Sequence, residues 1–252
     1  MSEAAPKIRV GIGGWDYDPW RGTFYPGGLA RAKQLEHASR RVTAIEINAT
    51  FYKLQKPELY ARWAAAVPDG FRFAVKGSRF CTNRKALGEA GEAVGRFCGQ
   101  GLTELGDKLG PILWQLADTK RFDPDEMRAF LALLPRAQDG MPLRHAVEVR
   151  HESFLDPAVV DIARAADVAV AFIDAEGVPQ IDAPAPGLAY ARLKRTSEDE
   201  AAGYAPAALA RWAALAQGWT AAGRETYVFM IGGHKVRAPA AAEALLARLG
   251  EA

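Results

Sequence analysis

The sequence predicts one α/β domain, a (β/α)₈ barrel of the TIM type with an irregular sixth connection. Three observations lead to this prediction. Short β-branched or apolar runs alternate with helical patterns, which is typical of parallel βαβ units. The length of 252 residues suits one such barrel. The chain shows no internal repeat or shift in composition, so we expect residues 1–252 to form a single domain with residues 1–7 as a short extension.

Eight runs of the sequence fit the strand pattern. In chain order they cover residues 8–14, 44–48, 71–76, 111–116, 145–150, 168–174, 188–194 and 226–232. Such strands are enclosed by the barrel on one side and by helices on the other. They should therefore be apolar along most of their length.

Helical periodicity fills most of the intervals between these strands. Several helical segments begin with proline, which suits the first turn of a helix because the missing N–H would be unpaired there. The predicted helices cover residues 30–41, 57–66, 84–108, 124–134, 157–166, 206–222 and 239–249. The interval 175–187 differs, since Pro179, Pro184 and Pro186 oppose a full helix, and we expect an irregular connection there.

Composition and charge exclude several classes of protein and name no partner. Hydrophobic residues make up 49% and charged residues 25% of the chain, which is ordinary for a globular protein. A net charge of +2 does not indicate binding to nucleic acid or to an anionic membrane, although it leaves nucleic acid open. The first residues lack the apolar stretch of a signal peptide, and no run reaches membrane-spanning length. With Cys81 and Cys98 interpreted as reduced thiols, we expect a cytoplasmic protein.

Charged or amide side chains stand near the ends of most predicted strands, where an enclosed strand needs a specific reason to carry them. Side chains alternate between the two faces of a strand, so Glu46 shares a face with Asn48, and Glu148 shares one with Arg150. The opposite, apolar face must meet the helices. The polar face therefore points into the mouth of the barrel at the carboxyl ends of the strands, where enzymes of this fold keep their chemistry.

We expect this mouth to hold a small anionic or hydroxyl-rich ligand. The candidate catalytic residues are Glu46, Lys76, Glu148, His151 and Asp174. Glu46 or Glu148 would carry the proton, with His151 as a second carrier because histidine titrates near neutral pH. Further residues would bind the substrate, the cations by charge and the aromatic rings by stacking: Trp15, Asn48, Tyr52, Gln115, Arg150 and Arg192.

The same residues also admit interpretations other than a catalytic site. In a purely structural network, the carboxylates at the strand ends would neutralise the cations Lys76, Arg150 and Arg192. A divalent metal would find ligands in the carboxylates and His151, but three cations in the same ring oppose it, so we predict no metal site. The glycines at the end of the first strand resemble a dinucleotide-binding loop only superficially, because the third glycine is misplaced and no helix follows at once. We therefore predict no cofactor.

Several motifs taken together resemble those of the YecE-like family, domain of unknown function 72. The motifs are residues 13–15 with Trp20 and 24–26, residues 46–52, residues 71–76, residues 105–111 leading to Gln115, and residues 148–151. The resemblance covers essentially the whole chain and implies an α/β barrel. It implies no reaction, because the family has no established biochemical activity.

Three places depart from the family pattern. Asn83 follows Thr82 where the family often has histidine, and Lys194 follows Leu193 where the family pattern has His-Gly. Residues 232–234 replace a pair of asparagines. These departures favour a divergent member with altered specificity.

The predicted function is an enzyme that acts on a small polar, anionic or sugar-like substrate by acid–base chemistry at the mouth of the barrel. Hydrolase, lyase and isomerase reactions all suit such a site. One alternative is a metal-assisted phosphodiesterase or nuclease that uses the carboxylates as ligands. A second alternative is a non-catalytic protein that binds a small anion.

Overall fold

The structure is a computed structural model that describes residues 7–250, so all of the predicted N-terminal extension except Lys7 lies outside the described residues. The strands, in chain order, are β1 Ile8–Gly13, β2 Ala44–Ile47, β3 Arg72–Lys76, β4 Leu109–Gln115, β5 Ala137–Gln138, β6 Met141–Pro142, β7 His145–Glu148, β8 Val168–Val170, β9 Phe172–Asp174, β10 Leu188–Leu193 and β11 Glu225–Met230. The α-helices are α1 Gln34–Ala38, α2 Ala49–Tyr52, α3 Pro57–Ala66, α4 Arg79–Thr82, α5 Gly91–Cys98, α6 Pro124–Ala132, α7 Ala158–Ala165, α8 Pro206–Ala221 and α9 Ala238–Gly250.

Nine strands form one parallel sheet in the order β8-β7-β4-β3-β2-β1-β11-β10-β9. β5 and β6 form a separate short hairpin. The sequence predicted eight barrel strands, and the ninth arises because the predicted run 168–174 is divided at Ala171. Its first part, β8, pairs with β7, and its second part, β9, pairs with β10 at the far end of the sheet. The two outermost strands are thus consecutive in the chain, which brings the ends of the sheet together as a barrel.

Two apolar layers surround the strands. The inner layer fills the barrel with small side chains such as Ala44, Ala74 and Ala146, which lie across from the large rings of Tyr190 and Phe229. The outer layer lies between strands and helices and is the larger of the two. Because both faces of the strands are buried, a polar side chain at a strand end is forced to find a partner or to face the mouth.

Close approach of β1 and β2 depends on one glycine. Gly11 lies against Ala44 of the neighbouring strand, and a Cβ at position 11 would overlap the Ala44 carbonyl oxygen. Glycine is the residue that leaves room for such an approach. Gly11 is one of the glycines that make the first strand resemble a dinucleotide-binding loop. Its role in this structure is close packing of β1 against β2.

The helices agree with the sequence pattern at some positions and differ at others. The prediction for 57–66 is confirmed by α3, and that for 206–222 differs from α8 by one residue. The predicted helix 84–108 was wrong as a single helix, because only α5 is α-helical and Gly101, at φ 102°, ends the helical path. Within the predicted helix 30–41, only α1 is α-helical, and a 3₁₀ turn, Arg31–Lys33, precedes it.

Residues 175–187, all of them described, contain no helix, as their prolines predicted. Isolated bridges from Ala183 to Val170 and from Ala185 to Leu188 hold this sixth connection against the barrel. None of the helices within residues 7–250 combines the length and the apolar character that crossing a membrane requires.

Candidate functional site

The carboxyl ends of five strands bring polar side chains together at the mouth. β2 supplies Glu46 and β3 supplies Lys76, while Gln115 and Glu148 are directly paired residues of β4 and β7. β10 supplies Arg192, and the next alternate residue, Lys194, follows the strand. We call these residues the charged cluster: Glu46, Lys76, Gln115, Glu148, Arg192 and Lys194.

Arg192 lies at the centre of the charged cluster. Its Nε and Nη2 atoms each donate a hydrogen bond of 2.9 Å to the two oxygens of Glu46, an arrangement that fixes both planar groups. Its Nη1 atom donates to Glu148 and, at 3.3 Å, to Gln115 Oε1. Arg192 is 2% exposed. Burial alone would lower its pKa, but the charges of Glu148 and Glu46 outweigh burial and raise that pKa above the ordinary arginine value.

Glu148 is fully buried and surrounded by cations. Lys194 Nζ donates to Glu148 Oε1 at 2.6 Å, and Arg150 Nε lies 3.4 Å from the same oxygen. Burial alone would raise the pKa of Glu148, but the charges of Arg192, Lys194 and Arg150 outweigh burial and lower that pKa to about 2. Glu148 is therefore ionised at neutral pH, an environment that disfavours the proton-carrying role suggested by the sequence.

Lys76 differs from the other cations of the charged cluster. It is 8% exposed, and its Nζ lies 4.1 Å from the centre of the Phe51 ring. Among residues 7–250, its ammonium has neither a hydrogen-bond acceptor nor an ion-pair partner. Burial and the nearby charge of Arg192 lower the pKa of Lys76 to about 8, although Glu46 and Glu148 oppose this shift.

Asp174 lies at the mouth but has partners of its own. Tyr204 donates its hydroxyl hydrogen to Asp174 Oδ2 at 3.0 Å, and Arg195 Nη1 lies 3.9 Å from Oδ1. Asp174 is 2% exposed, whereas the Arg195 side chain is 62% exposed. In this geometry Asp174 anchors the chain segment that follows β10, and its predicted catalytic role stays a prediction.

His151 follows β7 and begins a 3₁₀ turn, Glu152–Leu155. Its Nδ1 accepts a hydrogen bond of 3.1 Å from the backbone N–H of Ser153 and lies 3.0 Å from the Ser153 hydroxyl. No hydrogen bond within the described ranges links His151 to the charged cluster. Its Nε2 is the ring nitrogen left for proton transfer.

Trp15, Tyr52 and Asn48 lie around the charged cluster, whereas Gln115 belongs to it. Trp15 packs edge-on against Trp63 of α3, with ring centres 5.2 Å apart, in the outer apolar layer. Tyr52, the last residue of α2, is 62% exposed. Asn48 lies after the end of β2 and directly before α2. Its side-chain amide donates a hydrogen bond of 3.2 Å to the Glu46 backbone oxygen. The shared face predicted for Glu46 and Asn48 is thus interrupted by the turn into α2.

Two members of the site were not among the residues predicted to carry function. Tyr190 donates its hydroxyl hydrogen to Glu46 Oε2 at 2.7 Å, and Lys194 binds Glu148. Both lie on the face of β10 that also carries Arg192, because alternate residues of a strand share a face. The two-residue period along β10 would have found them. Lys194 is one of the charged residues near the end of the predicted strand 188–194 and one of the departures from the family pattern, but it is not among the candidate site residues.

The two carboxylates of the charged cluster form ion pairs with cationic side chains. Within residues 7–250 there is no group of three or more His, Cys, Asp and Glu side chains placed to hold a metal. Both oxygens of Glu46 accept hydrogen bonds from Arg192, and both oxygens of Glu148 contact cationic side chains. A divalent cation would have to displace these partners.

Comparison with known families gives one match over nearly the whole chain. Residues 9–252 match a family model described as "Protein of unknown function DUF72". The UPF0759 protein YecE of Escherichia coli (strain K12) is 30% identical over 149 residues, which are 58% of this chain and 50% of that protein. In this match the aligned region spans about half the length of the curated relative. The UPF0759 protein YunF of Bacillus subtilis (strain 168) is 33% identical over 70 residues, 27% of this chain and 23% of the relative.

Solved structures share the fold at lower sequence identity. A DUF72 family protein of Thermotoga maritima MSB8 has a TM-score of 0.76 at 21% identity, covering 97% of this chain and 99% of that one. The structure of SacUVDE has a TM-score of 0.59 at 10% identity, covering 98% of this chain and 100% of that one. At these identities the likeness concerns the fold alone.

Proposed function

Since the chain belongs to the DUF72 family, whose description names no reaction, we propose from the geometry of the site that it is an enzyme acting on a small anionic substrate. The substrate would bind at the mouth of the barrel, and Lys76 would carry the proton. Carboxylate-, phosphate- and hydroxyl-bearing molecules are the substrate class that a cationic mouth attracts. Hydrolase, lyase and isomerase reactions remain the candidate classes.

The position of the Lys76 ammonium carries this proposal. Four cationic side chains, Lys76, Arg150, Arg192 and Lys194, surround only two carboxylates, those of Glu46 and Glu148. Arg192, Lys194 and Arg150 each contact one or both of these carboxylates, whereas the Lys76 ammonium contacts neither. Lys76 is nearly buried, and a cation without a partner at such a position is costly. Such costs are commonly retained at functional sites.

The chemistry of Lys76 fits proton transfer better than that of the two glutamates. A lysine with a pKa of about 8 exists in both protonation states near neutral pH, which an efficient acid–base group requires. Glu148 stays ionised, and Glu46 is held by Arg192 and Tyr190. We therefore assign the glutamates to positioning Arg192 and Lys194, and His151 remains a candidate for the second proton carrier.

The site gives different support to the two alternative functions that the sequence suggested. The metal-assisted phosphodiesterase has no observation in its favour, because the carboxylates it needs are bound to Arg192 and Lys194. The non-catalytic anion-binding protein shares the geometry of the charged cluster. Turnover of an identified substrate distinguishes it from an enzyme.

The test uses Lys76→Met and Lys76→Arg, with Lys56→Met as an exposed control. Calorimetry with inorganic phosphate at pH 7 should show affinity lowered about tenfold by Lys76→Met, equal to about 1.4 kcal/mol, and largely kept by Lys76→Arg. In a metabolite screen for turnover, Lys76→Arg should be inactive because arginine stays protonated. Equal phosphate affinity in Lys76→Met and the unchanged protein would contradict the proposal.

A further inference from the structure

We propose that the rim of the barrel beside Lys76 binds a planar aromatic ring, so that the ligand is an anion carrying such a ring. This inference rests on the proposed function, because Lys76 is taken to hold the anionic group. It goes further by assigning a second subsite and a narrower class of ligand.

The rim is unusual for its exposed apolar side chains. Across residues 7–250, four large apolar side chains are exposed: Tyr52 at 62%, Leu54 at 42%, Phe80 at 60% and Leu155 at 62%. Three of these four lie in the segments that directly follow β2 and β3. We call Tyr52, Leu54, Arg79 and Phe80 the aromatic rim. Clustered exposed apolar surface of this kind commonly marks a binding site.

The aromatic rim is continuous with Lys76 through a row of contacts. Lys76 Nζ lies over the Phe51 ring, whose centre is 5.1 Å from that of Tyr52. The Arg79 guanidinium lies 5.9 Å from the Tyr52 ring centre and 5.5 Å from that of Phe80. An anionic group at Lys76 would therefore leave the rest of a ligand beside these rings.

Two hydrogen bonds fix the short helices that carry the rim. Thr50 of α2 donates its hydroxyl hydrogen to the Lys76 backbone oxygen at 2.7 Å, which ties α2 to the end of β3. Ser78 caps α4 by accepting the backbone N–H of Phe80 at 3.2 Å. The rings are thus presented from anchored backbone, which lowers the entropy lost when a ligand binds.

A cavity of about 220 Å³ adjoins the rim, with Leu54, Phe80, Arg84 and Arg96 among its lining residues. An apolar cavity of about 150 Å³ is known to accept benzene, so this space admits one ring. Guanidinium groups stack on aromatic faces, and their charge favours a ligand that is also anionic. Arg96 is paired with Glu92 at the surface, and Arg84 Nε donates to the Phe80 backbone oxygen at 2.6 Å. Arg79 lies against both exposed rings.

The test compares three ligands by calorimetry: inorganic phosphate, phenyl phosphate and cyclohexyl phosphate. Phenyl phosphate should bind about tenfold more tightly than inorganic phosphate, a gain typical of one stacked ring. Cyclohexyl phosphate has a similar size but no aromatic face, and it should recover about a third of this gain or less. Phe80→Ala and Tyr52→Ala should each reduce several-fold the gain in affinity that the phenyl ring gives, and Phe80→Ala should leave the inorganic phosphate affinity unchanged.

Leu155→Ala is the matched control, because Leu155 is equally exposed but lies after β7. Equal affinity for phenyl phosphate and inorganic phosphate in the unchanged protein would overturn the ring subsite while leaving the anion site intact. Unaltered phenyl phosphate binding in both Phe80→Ala and Tyr52→Ala would also overturn it. A protein that binds none of the three ligands would overturn both the anion site and the ring subsite.

Discussion

Lys76 carries an electrostatic cost without a carboxylate partner among the described residues, whereas Arg192 and Lys194 each bind a carboxylate. Its ammonium is nearly buried and lies against the Phe51 ring, and burial lowers its pKa from 10.5 to about 8. A pKa lowered in the folded state means that the charged form is less stable in the fold than in the unfolded chain. That cost is fully present below pH 8 and is relieved as the pH rises towards 10.5.

Removal of the Lys76 charge should therefore stabilise the fold. At about 1.4 kcal/mol per pKa unit, the shift from 10.5 to about 8 corresponds to about 3.5 kcal/mol, so Lys76→Met should raise the free energy of unfolding by up to that amount at pH 7. The gain should disappear above about pH 10.5, where the lysine is neutral in both states. Denaturant unfolding at pH 7 and above about pH 10.5 measures this gain in the free energy of unfolding. The control Lys56→Met, at an exposed position, should change the free energy of unfolding by less than about 0.5 kcal/mol. A less stable Lys76→Met at pH 7 would show that the ammonium is well compensated.

At the scale of the elements, the Arg192 side chain links its own strand, β10, to β2, β7 and, through Gln115, β4. It stands on β10 and binds Glu46 of β2 and Glu148 of β7, which are separated from it along the sheet. Such contacts reach across the barrel interior. They set the positions of the carboxylates, and through Glu148 they also set the position of Lys194.

Arg192→Met should leave two buried carboxylates without their main partner. Breaking a buried ion pair in this way costs about 3–5 kcal/mol, and we expect a loss of stability in that range at pH 7. Arg164→Met is the control, because Arg164 forms an exposed ion pair with Asp161 on α7, worth less than about 1 kcal/mol. Urea unfolding of both variants gives the comparison, and similar losses in the two would contradict a central role for Arg192.

Sequence periodicity predicted the barrel elements better than it predicted the contacts at the mouth. The strand runs and α3 follow from apolar pattern and proline position, which are local signals. The convergence of Glu46, Glu148 and Arg192 followed from the alternation of faces in parallel strands. Their partners did not follow, since whether Arg192 binds a carboxylate or a ligand depends on side-chain geometry across the barrel. The exposed Phe80 lies in the connection 77–83 between the predicted strand 71–76 and the predicted helix 84–108, and no local pattern distinguished it.

At the scale of the whole molecule, the barrel has an ionic network at each end. At the amino ends of the strands, Arg144 Nη2 lies 2.6 Å from Glu225 Oε2, and Tyr227 donates to Glu225 Oε1 at 2.9 Å. In this network Arg9 and Arg144 both contact Glu225, whereas Lys76 contacts no carboxylate among the described residues. The asymmetry between the two ends is consistent with function at the carboxyl end and stabilisation at the amino end.

The proposed function depends on one feature of the molecule: the Lys76 ammonium lies at the mouth without a carboxylate partner among the described residues. Competitive labelling with acetic anhydride, read peptide by peptide by mass spectrometry across a pH series, measures its pKa directly. A Lys76 midpoint near 8, well below the ordinary lysine value, is the expected result. A Lys76 midpoint at about 10 or above would show that the ammonium is stabilised by partners, and it would contradict the claim.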